Sequence, residues 1–179
     1  LDLQKMLAAS VELNRQIEMK RQLVWQPDHR LANAFVALDV ELSEMANTSE
    51  WFKVWKTHRG KQDEGLTSRA TLLNEYVDAM DFFLLIANLK NWNKIIVDSQ
   101  SELTTITAKK AEEFLDKQYL ILKQMIFKAY FAHSESSYKH AWHLFLKFGL
   151  VDFGFTTDEI QAAFFAKNEV NKQRQQNNY

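Results

Sequence analysis

The sequence predicts an all-α fold, a bundle of about six helices formed as one domain over residues 1–179. Three observations carry the fold class. Only four glycines and one proline occur in 179 residues, so little interrupts a helix. Hydrophobic residues make up 46% of the chain, enough for a buried core at this length. Apolar side chains also recur at intervals of three and four over long stretches, which is the period of one helix face.

The elements follow in order. Residues 2 to about 24 read as a first helix, with Leu3, Met6, Leu7, Leu13 and Ile17 near helical spacing and the polar Ser10 and Asn14 close to that stripe. Pro27 breaks the chain. A second helix is expected from about Leu31 to Ala46, and Asn47 to Ser49 interrupts it. Trp51 to Lys56 is a short aromatic and basic segment. Thr57 to Gly65, charged and holding two glycines, reads as an exposed, mobile loop. A third helix runs from about Ser68 to Asn91, and Asn93 to Thr105 reads as a connection. Ala108 to Ala132 is expected as a long fourth helix and Ser137 to Phe148 as a fifth. Gly149 and Gly154 punctuate, and Thr156 caps a sixth helix that opens on Thr157-Asp158-Glu159. From about Lys167 the chain is polar, rich in Asn and Gln, and reads as a mobile tail. No internal repeat and no linker divides it.

Composition narrows the function. A formal net charge of −1 gives no broad basic surface, which argues against DNA as a partner. The absence of cysteine excludes disulfides and thiolate metal sites and fits a cytoplasmic location. No apolar run reaches the roughly 18 residues of a membrane span, so no membrane partner is expected.

Four acids stand out. Glu41 and Glu44 form an ExxE pair, and Glu75 and Asp78 an ExxD pair about thirty residues later. A spacing of three places both members of a pair on one helix face. That face is also the apolar one, running Leu31, Ala34, Phe35, Leu38, Glu41, Leu42, Met45 in the second helix and Glu75, Asp78, Phe82, Leu85, Ile86, Leu89 in the third. The carboxylates therefore point where a core should be. Two like charges about 6 Å apart repel by roughly 3 kcal/mol at an effective dielectric near 20, so four need cations or protons among them. An all-oxygen set suits a hard divalent ion, Mg²⁺ or Mn²⁺. No Glu precedes a His by three, which argues against a ferritin-like di-iron centre. His140 and His143 share a helix face without an acidic neighbour in sequence and read as surface or as a satisfied core pair.

The segments VELSEMANTSEWFKVWK, Val40 to Lys56, and LNEYVDAMDFFLLIAN, Leu73 to Asn88, resemble the metal-binding core of the all-α dimeric dUTPases, within the wider all-α NTP pyrophosphohydrolases that include the MazG type. The tail KNEVNKQRQQNNY resembles that family's closing motif, and LQKMLAASVELNRQI, Leu3 to Ile17, its base-binding helix. The phrasing is most similar to forms from Gram-positive bacteria and their phages. The resemblance implies Mg²⁺-dependent hydrolysis of dUTP, and of dUDP, by water attack on the α-phosphorus. Glu41, Glu44, Glu75 and Asp78 match the metal ligands, and Glu41 matches the residue that orients or deprotonates the water. Lys56, Lys167, Arg174 and Tyr179 match positions at the phosphates, and Asn171 a polar position at the nucleotide. Ser10 and Asn14 fall at base-facing positions, Trp55 is a candidate wall of the base pocket, and Phe82 a candidate packing surface for the deoxyribose. The resemblance also implies a homodimer and, for a phage-encoded member, a repressor protein as a partner.

Two positions depart from the family pattern. Ser10 stands where relatives carry Gln and cannot make the same pair of hydrogen bonds to a uracil edge. Asn178 stands where relatives carry Gly. Ser10 keeps a second reading open, a related pyrophosphohydrolase with another base preference. A third reading is a regulatory, protein-binding module on the same fold; the presence of all four carboxylates argues against it.

Overall fold

The computed structural model describes residues 1–176. Among these residues seven α-helices follow one another, α1 Leu3–Arg21, α2 Pro27–Ser49, α3 Ser68–Leu89, α4 Asn93–Thr107, α5 Asp116–Phe131, α6 Glu135–Lys147 and α7 Thr157–Gln176, with a π-helical turn at Phe148–Asp152. No strand occurs among the described residues.

α3 is the centre of the bundle. It touches α1, α2, α4 and α7, and α5 packs on α6. Its run of buried residues, including Tyr76, Val77, Met80, Phe83, Leu84 and Ile86, explains why a helix with apolar residues on most faces is stable here. The facing side of α2 supplies Ala34, Phe35, Leu38, Leu42 and Met45, the stripe read from the sequence. α6 adds Trp142 and Phe145, and Tyr76 stacks on Phe145 with ring centroids 4.4 Å apart.

The boundaries have local causes. Pro27 occupies the first turn of α2 and begins it rather than breaking the chain, because a missing N–H is harmless there. The Thr67 hydroxyl accepts from Ala70 N at 3.1 Å and caps α3. Thr156 caps α7 through a reciprocal box: its Oγ1 accepts from Glu159 N at 3.1 Å, and the Glu159 carboxylate accepts from Thr156 N at 2.7 Å. Arg69 joins the starts of α3 and α7, with Nη2 2.8 Å from Glu159 Oε2 and 2.9 Å from the Gly154 carbonyl.

Three sequence expectations need correction. Asn93–Thr107 is a helix, not a connection; Ile95, Ile96, Leu103 and Ile106 are buried, and that packing outweighs the weak helix propensity of its isoleucines and threonines. The helix expected from Ala108 begins only at Asp116, since 108–114 are exposed and Leu115 is the first buried anchor. Residues 167–176, expected as a tail, are the last turns of α7. They lie along α1, where Lys20 donates to the Gln175 carbonyl and Arg21 Nε to Gln175 Oε1.

Candidate active site

The contact between α2 and α3 brings the predicted carboxylates together. One oxygen each from Glu41, Glu75 and Asp78 lies within 4.8 Å of the others. All three are half-buried, whereas Glu44 is exposed at the edge of the group. Its charge still reaches Glu41, Glu75 and Asp78.

The electrostatics are those of acids crowded out of water. Burial, then the charges of Asp78, Glu44 and Glu75, pushes the Glu41 carboxyl up to about 7. Burial and the charges of Asp78 and Glu44 raise Glu75. Burial also raises Asp78, opposed by Lys167, whose Nζ stands 2.5 Å from Asp78 Oδ2, and by the charge of Arg174. These residues fit a hard divalent cation: every donor is a carboxylate oxygen, and the excess negative charge lacks sufficient protein cations to neutralise it.

α7 covers the far side of this group. Phe164, Lys167, Asn168 and Asn171 recur at helical spacing and, with Leu13, Val77, Asp78 and Asp81, line a small cavity of about 10 Å³, room for one water. Lys167 thus stands against Asp78, and Asn171 lines the same cavity. Arg174 is exposed on the next turn. Tyr179 lies outside the described residues.

Other predicted residues stand elsewhere or face otherwise. Ser10 is fully buried, and its hydroxyl donates to the Asp81 carbonyl at 3.3 Å. Asn14 Nδ2 donates to the Ser10 carbonyl at 3.0 Å. Trp55 is 73% exposed and makes a T-shaped ring contact with Phe52. Lys56 is engaged by Glu50, Nζ to Oε2 at 2.6 Å. Phe82 is half-buried against the core. His143 is half-buried with Nε2 3.1 Å from both Ser99 Oγ and Glu102 Oε2, a satisfied pair rather than a ligand.

Two residues escaped the sequence reading. Glu50, 2% exposed and in a left-handed conformation at the end of α2, receives Lys53 Nζ, Lys56 Nζ and Gly60 N, and so ties down the segment that follows. Those two lysines hold its carboxyl down at about 2. Asp81 sits one turn beyond Asp78, and burial pushes its carboxyl up to about 6. The signal for Asp81 was present as a third acid in register, Glu75, Asp78, Asp81, inside an apolar run.

No curated protein matches the chain. A family model described as dUTPase matches residues 2–179. That span holds the four acids, the helix carrying Ser10 and Asn14, and the α7 residues over the cavity. The chain accordingly belongs to the dUTPase family and is a dUTP diphosphatase.

Proposed function

We propose that the protein hydrolyses dUTP to dUMP and pyrophosphate, and dUDP to dUMP and phosphate, by water attack on the α-phosphorus with Mg²⁺, or Mn²⁺ in its place. The observation that carries this reading is the convergence of Glu41, Glu75 and Asp78 oxygens within 4.8 Å, with Lys167 of α7 against Asp78. Glu41, Glu44, Glu75 and Asp78 hold the metal in this reading. When bound, such an ion acidifies water and offsets charge on phosphate oxygens. Glu41 orients the attacking water and accepts its proton. Lys167 moves from Asp78 to the phosphate chain once that carboxylate has another cation, and Arg174 and Tyr179 add to the same contact. Asn171 faces the nucleotide from α7.

The protein works in this reading as a homodimer in the cytoplasm. Support comes from an apolar face shared by α2 and α5, where Val36 is 63% and Phe131 76% exposed beside Val40, Leu120 and Phe127. Such a face is typical of a surface that meets another protein. Light scattering on Phe131→Asp tests it: a shift from dimer to monomer supports the arrangement, and an unchanged mass overturns it.

Ser10 bears on how strictly uracil is preferred among bases. Ser10 is buried and its hydrogen is used on a backbone carbonyl, which favours, as a second reading, a base other than uracil. Pyrophosphate release from dUTP, dCTP, dTTP, dATP and UTP, with and without Mg²⁺, decides. Mg²⁺-dependent release from dUTP is expected; release from a different nucleotide moves the specificity, and release from none refutes hydrolysis.

A further inference from the structure

Asp81 has no part in the carboxylate group of Glu41, Glu75 and Asp78, yet it is a half-buried acid with an unused oxygen. Its Oδ1 is shut off from water and has no hydrogen-bond partner. Ser10 and Asn14 help hold this carboxyl in its charged form, yet no hydrogen of theirs reaches Oδ1. Ser10 Oγ donates to the backbone carbonyl of Asp81, and Asn14 Nδ2 to that of Ser10. Asn168 Nδ2 donates to the Ala9 carbonyl.

We propose that Asp81 reads the base of the bound nucleotide, its Oδ1 accepting an N–H from the hydrogen-bonding edge of a pyrimidine. The inference rests on the nucleotide-hydrolase reading above and adds to it the group that selects the base. A buried acceptor without a donor costs stability and is rare in a folded protein unless something outside the chain completes it. Asp81 opens onto the cavity under α7, whose walls combine the apolar Leu13, Val77 and Phe164 with the amides of Asn168 and Asn171. Apolar walls with a few convergent polar groups suit a flat heteroaromatic ring. Three residues along α3 advance about 4.5 Å, so the cavity adjoins Asp78 and a base there stays connected to phosphates at the carboxylates. Entry of the ring requires the α7 stripe from Phe164 to Asn171 to lift, and the donated hydrogen completes Asp81 when it closes.

The shared chemistry is one N–H pointing at a carboxylate. Uracil offers it at N3 and cytosine at its 4-amino group. Discrimination by such a bond is strong because a base lacking the hydrogen leaves the acid buried and alone.

The test pairs a deletion in the protein with a deletion in the ligand. Binding of α,β-imido-dUTP and of its N3-methyl form, with Mg²⁺, is measured by calorimetry for the full chain, Asp81→Ala and Asp81→Asn, beside α,β-imido-dCTP and its N4,N4-dimethyl form. For the preferred base, Asp81→Ala should weaken binding about 10- to 100-fold, and the methylated ligand should bind wild type and Asp81→Ala alike. Asp81→Asn keeps an acceptor and should retain part of the preference. Which unmethylated ligand shows the coupling identifies uracil or cytosine as the source. Methylation that weakens wild type and Asp81→Ala by the same factor overturns the inference while leaving the hydrolase reading intact. No binding of any analogue overturns both. Thermal unfolding without nucleotide separates a structural role: Asp81→Asn should melt no lower than wild type, and a variant that melts well below it makes Asp81 a structural residue and refutes the proposal.

Discussion

Replacing Glu41 by Gln should stabilise the metal-free protein and abolish its response to Mg²⁺. In the fold, oxygens of Glu41, Glu75 and Asp78 share a space 4.8 Å across. Two full charges at that limit repel by about 3.5 kcal/mol at an effective dielectric of 20. The same cost appears in Glu41 itself, whose carboxyl stands at about 7 against an ordinary 4.5. At about 1.36 kcal/mol per pH unit the difference amounts to roughly 3 kcal/mol. Glu41 is only half-buried, and solvent screening reduces the net penalty to about 1–2 kcal/mol. The raised pKa means that the folded protein holds this proton more tightly than the unfolded chain. Its contribution to stability is therefore fully present below about 4.5 and lost as pH rises through about 7. In EDTA at pH 8, Glu41→Gln should melt roughly 2–8 °C above wild type, at about 2–4 °C per kcal/mol for a chain of this size. Near pH 4 the gap should close, because wild type is then protonated too. Adding Mg²⁺ should raise the melting temperature of wild type and leave the variant nearly unmoved. Differential scanning calorimetry across pH reads all three. A variant less stable than wild type in EDTA at pH 8, or a gap independent of pH, would refute the crowding argument.

Other outcomes test the links between fold and site. A Cβ on Gly149 would lie 2.3 Å from the Tyr76 ring, and Tyr76 sits between Glu75 and Asp78 on α3. Gly149→Ala should therefore destabilise by about 1–3 kcal/mol and weaken the Mg²⁺ response, measured as the melting shift per millimolar ion. Lys167 pairs with Asp78. Lys167→Met should bind Mg²⁺ more tightly without nucleotide, by calorimetry, yet raise KM for the nucleotide; tighter metal binding with an unchanged KM would remove Lys167 from the phosphates. Glu50 holds Lys53, Lys56 and Gly60 together, so Glu50→Gln should speed proteolytic cleavage within residues 50–66. Because its carboxyl lies near 2, below the ordinary 4.5, the stabilisation it gives is present above that ordinary value and is lost as pH falls through about 2.

Much of the site was legible along the chain because helical spacing is a local property. Glu41, Glu44, Glu75 and Asp78 could be assigned to apolar faces by counting threes and fours, and those faces do meet between α2 and α3. The capping of α7 by Thr156 was legible for the same reason. α4 was not, since Thr104, Thr105 and Thr107 lower helix propensity and tertiary contacts with α1, α3, α6 and the π-helical turn compensate. Nor was the end of the chain: Asn and Gln look like tail composition, yet Lys167 finds Asp78, and Asn168, 5% exposed, finds the Ala9 carbonyl.

By itself the sequence determined that the chain is helical, that two acid pairs share faces with apolar residues, and that a divalent cation suits them. These follow from composition and from a period of 3.6, which need no knowledge of distant contacts. Tertiary structure alone decided that Glu44 lies at the rim while Glu41, Glu75 and Asp78 converge. It turned Ser10 toward a backbone carbonyl, engaged Lys56 with Glu50, and left one oxygen of Asp81 enclosed and unused. Each depends on which side chain from a remote segment arrives at a given point. Burial and hydrogen-bond partners are set by that arrival, not by neighbours along the chain.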